Sequence, residues 1–157
     1  MSAKRLAAAA AAALAIVAVA APASASVTSA SGPATASVSP GNNALNWAED
    51  HALGCWYRYG GTSCSPGYDC SGLVSTAVDD ADHIWLGRTT GEMLESSHLG
   101  RTYDPQRGDL AFFYGGSHVE FVTTWSHTTF GAHDTGTKVG WLDWYSWPSG
   151  TSFYYIR

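Results

Sequence analysis

The chain has 157 residues, a formal charge of −5 at pH 7, and an aromatic share of 13 %. The acidic balance excludes charge-driven binding to nucleic acid or to an anionic membrane surface. The length allows one well-packed core beyond a leader, not two.

In chain order, the first element is an export signal. Lys4 and Arg5 precede an apolar run over 6–20, and Ala23-Ser24-Ala25 supplies the small residues of a cleavage site, so residues 1–25 read as a secretory signal peptide. The run is about 15 residues, short of the roughly 20 that span a bilayer. No cysteine follows it to take a lipid anchor. The expectation is a secreted, extracellular protein, monomeric by default, with no membrane contact in its mature form. Residues 26–40, built from Ser, Ala, Thr, Val, Gly and Pro without a charge or an aromatic ring, read as a flexible linker. The folded domain is expected over 41–157.

Within it, Asn42 or Asn43 can cap a helix over 43–53 whose apolar residues share one face, with Gly54 as its stop. The loop "GCWYRYGGTSCSPGYD" is rich in Gly, Ser, Pro and aromatic rings and reads as irregular. From Cys70, apolar residues recur at Leu73, Val74, Ala77 and Val78, which predicts a second helix starting at or just before the cysteine. "RTTGEMLESSHLG" predicts a short third helix capped by Thr89 or Thr90, with Glu92 in its first turn and Gly100 after its end. The pattern then turns to strands: "DLAFFY" (109–114), "HVEFVTTW" (118–125), "TTFGA" (128–132) and "SFYYIR" (152–157). Helices followed by strands predict an α+β fold, an antiparallel sheet packed on N-terminal helices.

An odd cysteine count in a secreted chain leaves one thiol over. Cys55 and Cys64 sit in the same loop at a spacing that a disulfide can close, which makes Cys70 the spare. The spacing matches no zinc pattern. A lone cysteine is often only a small buried hydrophobe. Cys70, however, heads a helix, where unpaired amides and the positive end of the dipole favour thiolate and can hold an oxyanion. Such a nucleophile needs a base and a group to orient it. Among six histidines, His118 opens a strand after the turn "GGS", and His133 follows the next strand. In a hairpin, His133 could hold the ring of His118 from behind. Taken singly, the commoner reading of His118 is a solvent-exposed strand-end residue and of His133 a turn residue.

The succession "WYRYGG…YDCSGLV", "LGRTTGEM", "QRGDLAFF", "SHVEFV" and "GAHDTGTKVG" resembles the NlpC-type cell-wall cysteine peptidases over roughly residues 43–139. The resemblance implies a papain-like single domain and hydrolysis of peptide bonds in peptidoglycan stem peptides, most often between the γ-carboxyl of D-glutamate and the diamino acid. It needs no cofactor and places the protein at the cell wall. Carried over, Cys70 is the nucleophile, His118 the general base and His133 the third polar residue. Tyr57, Asp69, Ser71 and Arg88 become substrate-binding residues, with Asp69 and Ser71 gripping the peptide's free amine. Three features depart from the family pattern. Gly87 stands in place of a proline, and Glu120 stands where glycine is general. A longer 118–133 interval keeps His127 as a rival third residue. The tail "GWLDWYSWPSG" offers aromatic rings for a glycan edge or, more commonly, for core and lid packing. Rival activities are an amidase cutting between muramic acid and L-alanine, an acyl-transferring relative, and a non-catalytic wall-binding module.

Overall fold

The computed structural model describes residues 39–124 and 127–157. The secretory signal expected over 1–25, and the linker apart from its last two residues, lie outside the described residues. Three helices precede most of the sheet: α1 (Pro40–Ala52), α2 (Cys70–Asp82) and α3 (Thr90–Glu95). A two-stranded ribbon, β1 (Thr62–Ser63) and β2 (Gly67–Tyr68), lies in the loop between α1 and α2. The main sheet comprises β3 (Leu99–Thr102), β4 (Leu110–Phe113), β5 (His118–Thr124), β6 (Thr128–Gly131), β7 (Gly140–Asp143) and β8 (Ser152–Ile156). Every pairing in it is antiparallel, in the order β3-β8-β4-β5-β6-β7. The α+β architecture is the one expected.

Local chemistry explains the helix ends. Proline is preorganised for the first turn, so α1 starts at Pro40, ahead of the expected Asn caps. Asn43 instead donates to Asp82 Oδ1 at 2.7 Å, tying α1 to the end of α2. Asp69 caps α2 by accepting the Gly72 amide at 2.6 Å. Thr89 and Glu92 close a reciprocal capping box on α3. That helix stops at Glu95, well before Gly100, because residues 99–102 leave it to pair with β8 as β3.

Strand alternation divides the core between two faces. Leu110, Phe112, Val119, Phe121 and Phe130 face the helices and join Leu45, Leu73, Val74, Val78 and Met93 in the main core. Ala111, Phe113 and Val122 face the other way, under Trp144, Trp147 and Phe153. The Trp144 ring stacks on Phe113 at 4.7 Å, and Trp147 meets Phe153 edge-on at 5.1 Å. Two of the tail tryptophans are therefore packing residues, while Trp141 is half exposed and Tyr145 fully so. This second face is where His118 and Glu120 point, since they alternate with Val119 and Phe121.

Candidate active site

The nucleophile candidate is positioned by a loop pressed onto a helix start. The Asp69 amide donates to Gly61 O at 3.1 Å, and a Cβ on Gly72 would lie 2.1 Å from that same oxygen. Only glycine fits there, which gives D-C-S-G its last letter. A disulfide joins Cys55 to Cys64 with a Cα separation of 5.0 Å, and Cys70 is a free, half-buried thiol at the first position of α2. Asp69 takes the Gly72 amide with its side chain and the Leu73 amide with its carbonyl. Among the described hydrogen bonds none engages the Cys70 and Ser71 amides at this helix start.

A cleft of about 460 Å³ opens at this helix start, and Tyr57, Asp69, Cys70, Ser71, Arg88 and His118 all line it. Every residue expected in the site is present in this cleft except His133. That residue lines an adjoining cleft of about 400 Å³ with Tyr57, His118, Glu120, Asp134 and Trp144. His127, the rival third residue, lies edge-on to Trp147 at 5.1 Å and lines neither cleft.

The contact expected from His133 onto His118 is made by another residue. His118 Nε2 meets Glu120 Oε1 at 2.8 Å, and His133 Nδ1 meets the same oxygen at 2.5 Å. His133 Nε2 is taken by Gly140 O at 3.0 Å. Both nitrogens of His133 are therefore engaged, and neither is left for the ring of His118. Glu120 has 0 % exposure and also receives the Thr129 hydroxyl. One available signal pointed to it: residues 118 and 120 of a strand share a face.

These contacts set the protonation states. Burial disfavours a charged His118, but hydrogen bonds to the Cys70 sulfur and to Glu120, with the charges of both, outweigh it and raise the imidazole from 6.5 to about 9. Burial likewise opposes ionisation of Glu120, yet hydrogen bonds from His118 and His133 bring it from 4.5 down to about 2. Near neutral pH the site holds an imidazolium against a carboxylate. Tyr57 is raised above 10.0 by burial and by the nearby Cys70, Asp69 and Asp134. Its hydroxyl stays protonated and can donate.

Asp69 departs from the role expected of it. Its two oxygens receive Arg88 Nη1 at 3.0 Å and Nη2 at 2.8 Å, along with the amides of Gly72 and Gly60. Arg88 also donates to the Ser71 hydroxyl at 3.1 Å. A carboxylate so engaged is a brace for the start of α2 and offers no open charge to an amine. Removing its partner leaves Asp69 buried and short of donors. Arg88→Ala should cost about 2 kcal/mol in a chemical melt and lower turnover roughly tenfold by loosening the turn that aims Cys70. Arg88→Lys, which cannot serve both oxygens, should recover only part. Among the described residues no group of three or more His, Cys, Asp and Glu side chains is arranged to hold a metal ion. No helix among them is long and apolar enough to cross a membrane.

Known proteins share parts of this sequence and this fold. Murein DD-endopeptidase MepH of Escherichia coli (strain K12) is 41 % identical over 64 residues, covering 39 % of this chain and 23 % of MepH. The matched region thus spans about a quarter of that relative. Among solved structures, the peptidoglycan hydrolase RipB of Mycobacterium tuberculosis superposes with a TM-score of 0.60 at 21 % identity, over 75 % of this chain and 65 % of RipB. NlpC1 of Trichomonas vaginalis gives a TM-score of 0.62 at 26 % identity, over 76 % of this chain and 44 % of that one. The family model described as "NlpC/P60 family" matches residues 54–146, more than half of the chain. With this match over more than half of its length and a shared fold, the chain belongs to the NlpC/P60 family.

Proposed function

We propose that the protein is an exported cysteine peptidase that hydrolyses the stem peptides of peptidoglycan at the cell wall, cutting between the γ-carboxyl of D-glutamate and the diamino acid. The observation that carries this reading is the free Cys70 thiol at a helix start, facing the His118 imidazole across a cleft lined by Tyr57, Ser71 and Arg88. With the Cys70 proton already held on Nδ1 of the His118 imidazolium, the sulfur attacks the amide carbonyl. The oxyanion lies against the amides at the helix start. As the C–N bond breaks, His118 returns the proton to the leaving amine. Water, giving its proton to His118, then attacks the thioester and frees the carboxylate and the thiol.

A second reading is favoured by the name of MepH, a DD-endopeptidase: cleavage of the D–D peptide bond that cross-links two stems. Mass spectrometry of fragments released from purified peptidoglycan separates the possibilities. The proposed cut leaves L-Ala–D-Glu on the sugar, whereas a D–D cut turns cross-linked dimers into monomers with intact stems. An amidase would release a sugar bare of peptide, and a binding module would release nothing.

A further inference from the structure

Glu120 is a charged side chain in the middle of a hydrophobic strand, and every contact around it is built. It lies two residues after His118 on β5, so both side chains rise from the same face. Across the pairing, the neighbour on β6 is Gly131, where a Cβ would fall 2.6 Å from Glu120 Cγ. The missing side chain is the space the glutamate fills. Thr129, also on β6, donates its hydroxyl to Oε2 and accepts the Trp144 indole N–H at 2.9 Å. His133, held by Gly140 O, donates from Nδ1 to Oε1. The carboxylate is thus held by side chains from two further segments, with Oε1 left pointing at His118 Nε2.

We propose that Glu120 is the positioning residue of this site, fixing the ring of His118 and its tautomer, and that His133 serves only to hold Glu120. A carboxylate accepts and cannot donate. Nε2 of His118 therefore keeps its proton toward Glu120, and Nδ1 is the nitrogen that exchanges a proton with Cys70. The same negative charge sustains the imidazolium that forms. Other ionisable groups near the pair are Cys70 from α2, Tyr57 from the loop after α1, Tyr114 from the turn before β5, and His133 and Asp134 after β6. Of these, the charges that act on His118 are those of Cys70 and Glu120.

The consequence for catalysis rests on the cysteine-peptidase reading; the positioning itself does not, and the test keeps them apart. The titration of His118 is followed by ring NMR in the full chain, beside the pH profile of peptidoglycan hydrolysis. Glu120→Gln keeps the shape and removes the charge. Its His118 midpoint should fall by at least about one pH unit, the alkaline limb of activity should move down with it, and kcat should drop about 100-fold with little change in KM. Because a buried carboxylate is not always removable from a folded chain, Gly131→Ala is measured too; it keeps Glu120 but displaces it, and should also lower the midpoint. His133→Gln should move the midpoint less than Glu120→Gln does. A wild-type midpoint in whichever of the first two variants folds would overturn the proposal, as would a larger shift in His133→Gln. A wild-type protein that releases no fragments while Glu120→Gln still shifts the ring would sink the peptidase reading and leave the positioning role standing.

Discussion

The Cys70→Ser variant is expected to fold and to release no fragments from peptidoglycan. Serine fits the first turn of α2 without disturbing the Asp69 cap, the loop against Gly72 or the Cys55–Cys64 bridge. Its melting behaviour should stay within about 1 kcal/mol of wild type. A hydroxyl, however, ionises far less readily than a thiol, and a site arranged around sulfur does not compensate. Turnover should fall at least about 10⁴-fold. The same substitution removes the sulfur's hydrogen bond and charge from His118, two of the causes that hold its pKa near 9. Ring NMR of the folded variant should therefore show His118 titrating lower than in wild type. An active Cys70→Ser enzyme would mean that the nucleophile lies elsewhere.

The second large effect belongs to His118. His118→Ala should lower kcat about 10³-fold or more by removing both the base for Cys70 and the acid for the leaving amine. It should also destabilise the protein, because Glu120 at 0 % exposure loses one of the groups that make its charge tolerable. The double variant His118→Ala with Glu120→Gln should regain part of that stability and none of the activity. Such a pattern separates lost chemistry from lost folding. The pH dependence follows from the direction of the shift. His118 is raised from 6.5 to about 9, so its protonated form contributes stability fully below about pH 6.5, and that contribution is lost as pH rises through 9. Denaturant melts of wild type should weaken across this window, and the His118→Ala protein should lack that part of the slope. Glu120, lowered from 4.5 to about 2, acts in the opposite sense: its stabilisation is present above pH 4.5 and lost as pH falls through 2.

Cys70 could be placed from sequence because its helix announces itself in the apolar residues that recur at helical spacing from it onward. His118 was legible for a similar reason, as the first residue of a long β-branched run after glycines. What escaped was decided across strands. A glutamate in a strand reads as a solvent-facing residue, and only the pairing that sets Gly131 opposite it, with Thr129 and His133 nearby, turns it into a buried hub. Asp69 read as an open carboxylate because its partner, Arg88, lies 19 residues away on the far side of a helix. The edge strands β3 and β7 were missed because each is partly exposed and carries a glycine and a charged residue, types that strands disfavour. Trp141, Trp144 and Trp147, close in sequence, divide between surface and core: which face each takes depends on where β7 ends.

Intact-protein mass spectrometry after rapid acid quench, during turnover of purified stem peptides, tests the role of the sulfur most directly. Wild type should carry a transient mass increase equal to the acyl half of the cleaved peptide, mapping to the tryptic fragment that contains Cys70 and absent in Cys70→Ser. Steady turnover with no adduct on that fragment, or with the adduct on another residue, would contradict the account.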